Sequence, residues 1–322
     1  MAEVSRRDFF KRLLKAASAG LLSIGAYLGF YSKEPVRKKP LKPKGLPDYR
    51  KGLKDLPEKF VVVKGQNPGS MVREALKRLG GIERFVRPGE RVLIKPNASW
   101  ARPPEYGATT EPSLVAEMVR LCYEAGAKEV WVTDVCVNDP EKAFITSGIG
   151  PLAEKAGAIV KIPSERDFIY TSVGGEVIKN WPVSRFYHEA DRLINMPVVK
   201  HHSLSGCTIA MKNLYGAMGG RRNQFHQDIH LAIAEISRAL VPTLTVVDAI
   251  RVLKRNGPTG GSLSDVQYHW SIIAGTDIVA IDSYCAGFLG LNPEDLPFLA
   301  LGERMGLGRA NWRSLEHEII TL

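Results

Sequence analysis

Four apolar segments of this sequence, each with the length of a buried strand, end in charged or polar side chains. Lysine and asparagine side chains suit the binding of oxyanions, whereas aspartate and histidine act as acids and bases or as metal ligands. Their coincidence at four segments predicts one cleft for an anionic ligand, with or without a bridging metal. The residues are Lys95 and Asn97 after 91–94, Asp134 after 130–133, Lys200 and His202 after 192–199, and Asp248 after 244–247.

A further segment places two polar side chains among small and apolar ones. Lys212 and Asn213 interrupt the run 205–216, and glycines follow at positions 216, 219 and 220. Apolar surroundings disfavour the charged form of a lysine unless an anion compensates it. We therefore expect Lys212 to bind charge and Asn213 to bind the ligand. The alternative is a lysine that reaches outward from an amphipathic helix.

Histidines supply candidate acids, bases and metal ligands. The i, i+4 spacing of His226 and His230 can place both on one helix face. However, Asp228 is a suitable N-cap for a helix over 228–240, and His226 would then precede that helix. We therefore keep His230 and His202 as candidate acid–base groups.

Two later segments add candidates. The loop 256–261 has the backbone freedom to approach a ligand, which makes Gly257 and Gly260 candidate binding residues, although a simple turn is the alternative. Asp277 is expected to cap a helix, whereas Asp282 falls inside its apolar start. A buried carboxylate needs a partner, and the lysines above are candidates.

These observations define one predicted site with three kinds of residue. Lys95, Lys200 and Lys212 would bind charge, with the histidines and aspartates as acid–base groups or metal ligands. The catalytic candidates are Lys95, Lys200, His202, Lys212 and His230, the ligand-binding candidates are Asn97, Asn213, Gly257 and Gly260, and the metal candidates are Asp134 and Asp248.

Short β-branched segments alternate with longer amphipathic ones around these residues. That rhythm predicts an α/β fold with a mostly parallel sheet, flanked by helices on both faces, and a small antiparallel excursion around 166–190. Ligands bind beyond the carboxyl ends of such strands. The predicted strands are 60–63, 91–94, 130–133, 158–162, 192–199, 244–247 and 270–274, and the predicted helices are 70–79, 113–125, 140–155, 228–240 and 278–289.

The first 32 residues have the pattern of a twin-arginine export signal. Arg6 and Arg7 precede a polar residue, two aromatic residues and Lys11, and no charge follows Lys15 until Lys33. This order predicts export by the twin-arginine translocase to a periplasmic or other extracytoplasmic location. The uncharged run has about the length of a minimal membrane span, so cleavage and retention as an anchor both stay open.

Basic charge is concentrated in the same region. Residues 1–60 hold 15 of the 44 Lys and Arg residues but 6 of the 34 Asp and Glu residues, so the remainder is almost neutral. The high isoelectric point therefore gives no support for nucleic-acid binding. The Pro- and Lys-rich composition of 33–58 predicts an extended linker, which leaves 59–322 as the α/β domain.

Four widely spaced cysteines form no C-x-x-C pair, which argues against an iron–sulfur motif within this chain. Two of them could form a disulfide in an oxidising compartment. Cys122 and Cys285 lie in apolar helical patterns, however, and are predicted to be buried thiols. The other two are Cys136 and Cys207.

Five segments in order carry a family resemblance. They are Lys95-Pro96-Asn97, residues 195–202, residues 211–216, Val247-Asp248 with Gly257-Pro258, and residues 277–282. Together they resemble the domain of unknown function 362 family over nearly all of residues 60–320. That family has no generally established reaction. Its members are often joined to a ferredoxin-like module with two four-iron clusters, which implies a redox setting.

Two hypotheses follow. The first is an exported enzyme that acts on a small anionic, carboxylate-like substrate, with an unknown cofactor for which a divalent metal is one option. The second is a non-catalytic ligand- or metal-binding component of a membrane-associated redox assembly. Because this chain lacks the cluster motifs, any ferredoxin-like or membrane electron carrier would be a separate protein.

Overall fold

The computed structural model of the protein describes Arg7, Phe10, Lys11, residues 13–18 and residues 42–322. Most of the predicted signal, and the predicted linker up to residue 41, lie outside the described residues. The chain divides into a unit at 1–42 and a unit at 43–322. Among the residues described, no helix combines the length and apolar character needed to cross a bilayer.

Twelve strands build two sheets in the second unit. The apolar residues of the larger sheet alternate between its two faces, so both faces carry buried side chains. The strands are β1 Lys59–Lys64, β2 Arg91–Pro96, β3 Glu129–Val132, β4 Ile159–Val160, β5 Phe168–Ser172, β6 Asn180–Ser184, β7 Arg192–Met196, β8 Val198–His202, β9 Gly206–Thr208, β10 Leu244–Leu253, β11 Val266–Gly275 and β12 Glu316–Thr321.

The larger sheet is mixed but mostly parallel, as predicted. Its order is β12-β1-β11-β10-β7-β2-β3-β4, with β8 also beside β10 and β9 beside β8. Strand β11 runs antiparallel to β1 and β10, and β9 runs antiparallel to β8. The separate antiparallel hairpin β5–β6 confirms the excursion around 166–190.

Helices cover both faces of the sheet, which confirms the α/β class. The first four pack on one face and the other five on the opposite face, and each layer has its own apolar core. The helices of this unit are α1 Pro68–Arg78, α2 Pro112–Glu124, α3 Pro140–Thr146, α4 Ile149–Lys155, α5 Arg185–Glu189, α6 Ala210–Asn213, α7 Ile229–Ala239, α8 Ile278–Ala286 and α9 Pro297–Arg304.

Several predicted boundaries were wrong for local reasons. The helix predicted at 140–155 is two helices, because Gly148 adopts a left-handed φ of 74° between them. The strand predicted at 192–199 divides at Pro197 into β7 and β8. Asp228 makes no side-chain cap at α7, whereas Asp277 caps α8 by accepting the N–H groups of residues 279 and 280, as predicted.

Candidate functional site

Lys95 and Asp134 form a fully buried ion pair at the ends of the parallel strands β2 and β3. The Lys95 Nζ atom lies 2.6 Å from Asp134 Oδ1. It also donates to the Pro96 carbonyl at 2.7 Å and to Asn213 Oδ1 at 3.2 Å. Burial lowers the pKa of Lys95, and Asp134 opposes that shift. Because an ammonium has three N–H bonds, Lys95 has none left for a ligand.

The amide of Asn213 connects this ion pair to the strands around it. Its Oδ1 atom accepts from Lys95 and, at 3.0 Å, from Asn97 Nδ2. Its Nδ2 atom donates to the Lys95 carbonyl at 3.2 Å and to Asn195 Oδ1 at 2.8 Å. All four hydrogen bonds of this amide are therefore made inside the protein. Asn213 positions its neighbours, and Asn97 extends the network to Lys200.

Lys200 retains a donor for a ligand. Its Nζ atom donates to Asn97 Oδ1 at 3.1 Å and to the Ala108 carbonyl at 2.6 Å, which leaves one N–H bond. The side chain is buried and lines the cavity described below. Burial lowers the pKa of Lys200 to about 7, with opposition from Asp134 and a further lowering from Lys212. Lys200 can therefore gain or lose a proton near neutral pH.

The shifted pKa of Lys200 predicts a pH-dependent stability. The folded value of about 7 lies below the ordinary value of 10.5, so between these values the unfolded chain binds more protons. The unfolding free energy of the wild type should therefore rise, relative to that of Lys200→Met, as the pH increases from 7 to 10. Urea denaturation of both proteins across this range measures the difference. The exposed Lys128→Met serves as control, and a difference independent of pH would contradict the prediction.

Lys212 has no acceptor among the residues that the structure describes. The residue is 8% exposed, and its ammonium makes no hydrogen bond or ion pair to any described residue. The Nζ atom lies 4.8 Å from the ring centroid of Tyr215. Burial, followed by repulsion from Arg222, lowers the pKa of Lys212 to about 8. A buried cation without a carboxylate favours the binding of an anion beside it.

Arg222 is a cavity residue that the sequence analysis did not select. Its Nη1 atom donates to the carbonyls of Tyr215 and Met218, and its Nη2 atom donates to the Val135 carbonyl at 2.7 Å. These acceptors are neutral, and Arg222 forms no ion pair with a described carboxylate; burial lowers its pKa, and the charge of Asp134 opposes that shift. The signal in the sequence was its position directly after Gly219-Gly220-Arg221.

His202 is a neutral hydrogen-bond donor in this geometry. Its Nδ1 atom accepts the backbone N–H groups of Leu204 at 3.2 Å and Ser205 at 3.4 Å, so the ring proton belongs on Nε2. Burial, and then Lys212, lower the pKa of His202 to about 2. The Nε2 atom has no protein partner in the described part of the chain, and the residue lines the cavity.

These side chains surround a cavity of about 660 Å³. The backbone of Gly216 lies against the buried ion pair, where a methyl group would collide with Asp134 Oδ1 and lie 2.7 Å from Lys95 Nζ. Apolar side chains form much of the remaining wall. The lining includes Asn97, Trp100, Asp134, Cys136, Phe168, Lys200, His202, Leu204, Lys212, Asn213, Tyr215, Met218, Arg222, His226 and Pro258.

Several predicted site residues lie outside this lining. Asp248 is buried elsewhere, where it accepts the N–H groups of Glu111 at 2.7 Å and Ile250 at 2.9 Å. His230 stacks on Phe298 with ring centroids 6.0 Å apart. Gly257 packs against the His201 carbonyl, and Gly260 packs against the Leu253 side chain. The predicted pair of metal ligands, Asp134 and Asp248, therefore does not meet at the cavity.

Asp282 does have partners, but they are not the predicted lysines. Its Oδ1 atom accepts the Ala210 N–H at 2.6 Å, and its Oδ2 atom accepts the Met211 N–H at 3.0 Å. Burial raises the pKa of Asp282 to about 7, and these two backbone donors oppose the rise. The carboxylate holds the start of helix α6, which carries Lys212 and Asn213.

A metal centre finds little support in the donor geometry. Within 42–322 and the described residues before it, no three His, Cys, Asp or Glu side chains converge as metal ligands would. Both oxygens of Asp134 are engaged, Oδ1 by Lys95 and Oδ2 by the Ala98 N–H at 2.8 Å and the Ser99 hydroxyl at 3.2 Å. The described cysteines are free thiols, and Cys122 and Cys285 are buried, as predicted.

Two known proteins are similar to this chain in sequence. It is 29% identical over 248 residues to "Thylakoid-associated protein sll1697" of Synechocystis sp., which is 73% of this chain and 74% of that protein. It is 26% identical over 166 residues to 3-phosphoshikimate 1-carboxyvinyltransferase of Pelodictyon phaeoclathratiforme, which is 51% of this chain but 36% of that protein.

A solved structure and a family model complete the comparison. The lactate racemase apoprotein from Thermoanaerobacterium thermosaccharolyticum aligns with a TM-score of 0.42 and 12% identity, over 76% of this chain and 60% of that one. The model of the domain of unknown function DUF362 matches residues 92–287, which is more than half of the chain. The protein therefore belongs to the DUF362 family.

Proposed function

We propose that this protein is an exported α/β enzyme that binds a small organic anion, a carboxylate or a related oxyanion, and catalyses a proton transfer on it. The observation that carries the proposal is the ammonium of Lys212, a residue that is 8% exposed, because this ammonium has no acceptor among the described residues. A bound anion would supply the missing charge. The Nε2 proton of His202 and the free N–H of Lys200 provide further donors at the same cavity.

The residues have distinct proposed roles. Lys200 is the acid–base group, because its pKa of about 7 allows both protonation states near neutral pH. Lys212 binds the anion, and His202 donates a hydrogen bond, a role that its fixed tautomer favours over proton transfer. Lys95 positions Asp134 and Asn213, because its three N–H bonds are used internally. We propose no step through a metal.

Location and partners complete the proposal. Export through the twin-arginine translocase rests on the sequence pattern at 5–11, and the thylakoid-associated relative supports an association with membranes. A separate ferredoxin-like or membrane redox protein remains our proposed partner, in keeping with the redox setting of the family. A non-catalytic binding component of such an assembly would use the same cavity.

Thermal stability in the presence of anions tests the binding. Saturating acetate, succinate or inorganic phosphate, at constant ionic strength, should raise the Tm of the full-length protein by about 5 °C if one of them reaches 100 times its Kd. Lys212→Met should abolish this shift, because it removes the unpaired ammonium. The exposed Lys128→Met is the matched control and should keep the shift. An undiminished shift in Lys212→Met would contradict the assigned role.

Turnover separates the enzyme from the binding component. If the enzyme removes a proton from carbon in D₂O, deuterium replaces it and the C–H signal of the carboxylate disappears. Nuclear magnetic resonance spectra recorded over time measure this loss. Lys200→Met should slow such exchange by about 10²–10⁴-fold while the anion still binds. Binding without exchange of any proton would favour the non-catalytic alternative.

A further inference from the structure

The cavity carries an excess of positive charge. Lys95 and Asp134 cancel each other as an ion pair. The remaining cations are Lys200, Lys212 and Arg222, and the remaining carboxylate in the lining is Glu165, which is exposed at the edge. Lys212 and Arg222 therefore leave two positive charges without an ion-paired carboxylate among the described residues, and Lys200 adds a third when it is protonated.

The histidines of the cavity do not add to this charge. The His202 and His226 rings lie 6.3 Å apart, and both line the cavity. Burial lowers the pKa of each, with Lys212 as the next cause. Burial therefore favours the neutral form of both rings, and His202 contributes a donor rather than a charge.

Two of the cations are held on one short segment of chain. The Lys212 Nζ atom lies 4.8 Å from the ring centroid of Tyr215, and the Tyr215 hydroxyl donates to the Arg222 carbonyl at 2.9 Å. Arg222 in turn donates to the Tyr215 carbonyl. The guanidinium has five N–H bonds and uses three of them on carbonyls, so two remain for a ligand. The positive charges of Lys212 and Arg222 therefore repel each other. A ligand with two negative charges would offset this repulsion.

We propose that the ligand is an organic dianion and that Lys212 and Arg222 bind its two negative charges. Arg222 is then a specificity-determining residue, which selects dianions over monoanions. The cavity of about 660 Å³ exceeds the needs of a simple inorganic ion, and Trp100, Phe168 and Met218 offer apolar contacts to a carbon skeleton. The two charges can belong to two carboxylates or to one phosphate monoester. This inference rests on the proposed function and narrows its substrate class.

Calorimetric titration of the full-length protein tests the charge preference. Acetate, succinate and inorganic phosphate are titrated at pH 7.5, with KCl added to equal ionic strength. We expect at least one dianion to bind tenfold or more tightly than acetate. Tighter binding of succinate alone identifies a dicarboxylate, and tighter binding of phosphate alone identifies a phosphate ester. Equal affinity of all three would overturn the inference but leave anion binding intact.

Variants of Arg222 locate the preference. Arg222→Gln should weaken dianion binding by tenfold or more relative to the wild type and change acetate affinity by no more than about threefold. Arg222→Lys keeps the charge, so it should bind dianions more tightly than Arg222→Gln but less tightly than the wild type. The exposed neighbour Arg221→Gln removes the same charge outside the cavity lining and should bind like the wild type. An equal loss in both variants would overturn the assignment to Arg222. Failure of the wild type to bind any of the three anions would instead refute the proposed function.

Discussion

Asp134→Asn should lower the free energy of unfolding by about 3–5 kcal/mol, because it removes one partner of a buried ion pair and leaves the other charged. The Lys95 ammonium is fully buried, and its remaining acceptors are a carbonyl and an amide. The new amide also cannot serve both sides of Asp134. Either its oxygen faces Lys95 and its NH₂ faces the Ala98 N–H, or the reverse. Urea denaturation measures the loss.

The control is the equivalent change at a partly exposed pair that joins β2 to β3. Glu129 accepts from Arg91 at 2.9 Å, and both side chains are about 30% exposed. Glu129→Gln should therefore lower the free energy of unfolding much less than Asp134→Asn does. In a double-mutant cycle, Lys95→Met should cost less in the Asp134→Asn background than in the wild type, since it then removes an uncompensated charge. If Asp134→Asn lowers the free energy of unfolding no more than Glu129→Gln does, the buried pair does not make the proposed contribution to stability.

Gly216→Ala should destabilise the protein by about 1–3 kcal/mol and weaken anion binding. The backbone of Gly216 does not occupy the left-handed region, so alanine is compatible with its conformation. The cost comes from packing, because the added methyl group would collide with the Asp134 carboxylate and lie 2.7 Å from Lys95 Nζ. Both groups are buried and have little room to move.

Gly261→Ala is the matched control. No heavy atom lies within 4 Å of the position that its methyl group would occupy, and its backbone is also outside the left-handed region. It should leave both the denaturation midpoint and the anion-dependent Tm shift unchanged. If Gly216→Ala also leaves both quantities unchanged, the close packing of the Gly216 backbone against the ion pair does not contribute to stability or binding, and the prediction is wrong.

The sequence predicted the class of the fold because its periodicity is strong. Buried strands such as β2 and β10 contain short apolar runs rich in β-branched residues, and the amphipathic helices between them end at glycines. It failed where one residue interrupts a continuous pattern. Pro197 lies between β7 and β8, and Gly148 lies between α3 and α4. The apolar pattern continues across both residues, so the sequence predicted one strand and one helix.

The structure brings some of the predicted site residues together and separates others. Lys95, Asp134 and Lys200 come together because the carboxyl ends of parallel strands share one edge, and helix α6 places Lys212 beside them. The strand predicted at 244–247 continues to Leu253, however, so Asp248 lies inside β10 rather than after it and accepts backbone N–H groups away from the cavity. Nor does a sequence show whether the acceptors around a cation will be backbone carbonyls or carboxylates. The analysis therefore did not identify Arg222 as a cavity cation that has no ion-pair partner among the described residues.

The two backbone hydrogen bonds to Asp282 link a helix outside the cavity to the residues inside it. Helix α8 contributes no residue to the cavity lining, yet its carboxylate fixes the segment that presents Lys212. Evolution can thus retune ligand affinity through distant substitutions in α8 without altering any contact residue. Relatives with identical lining residues need not bind their ligands equally well.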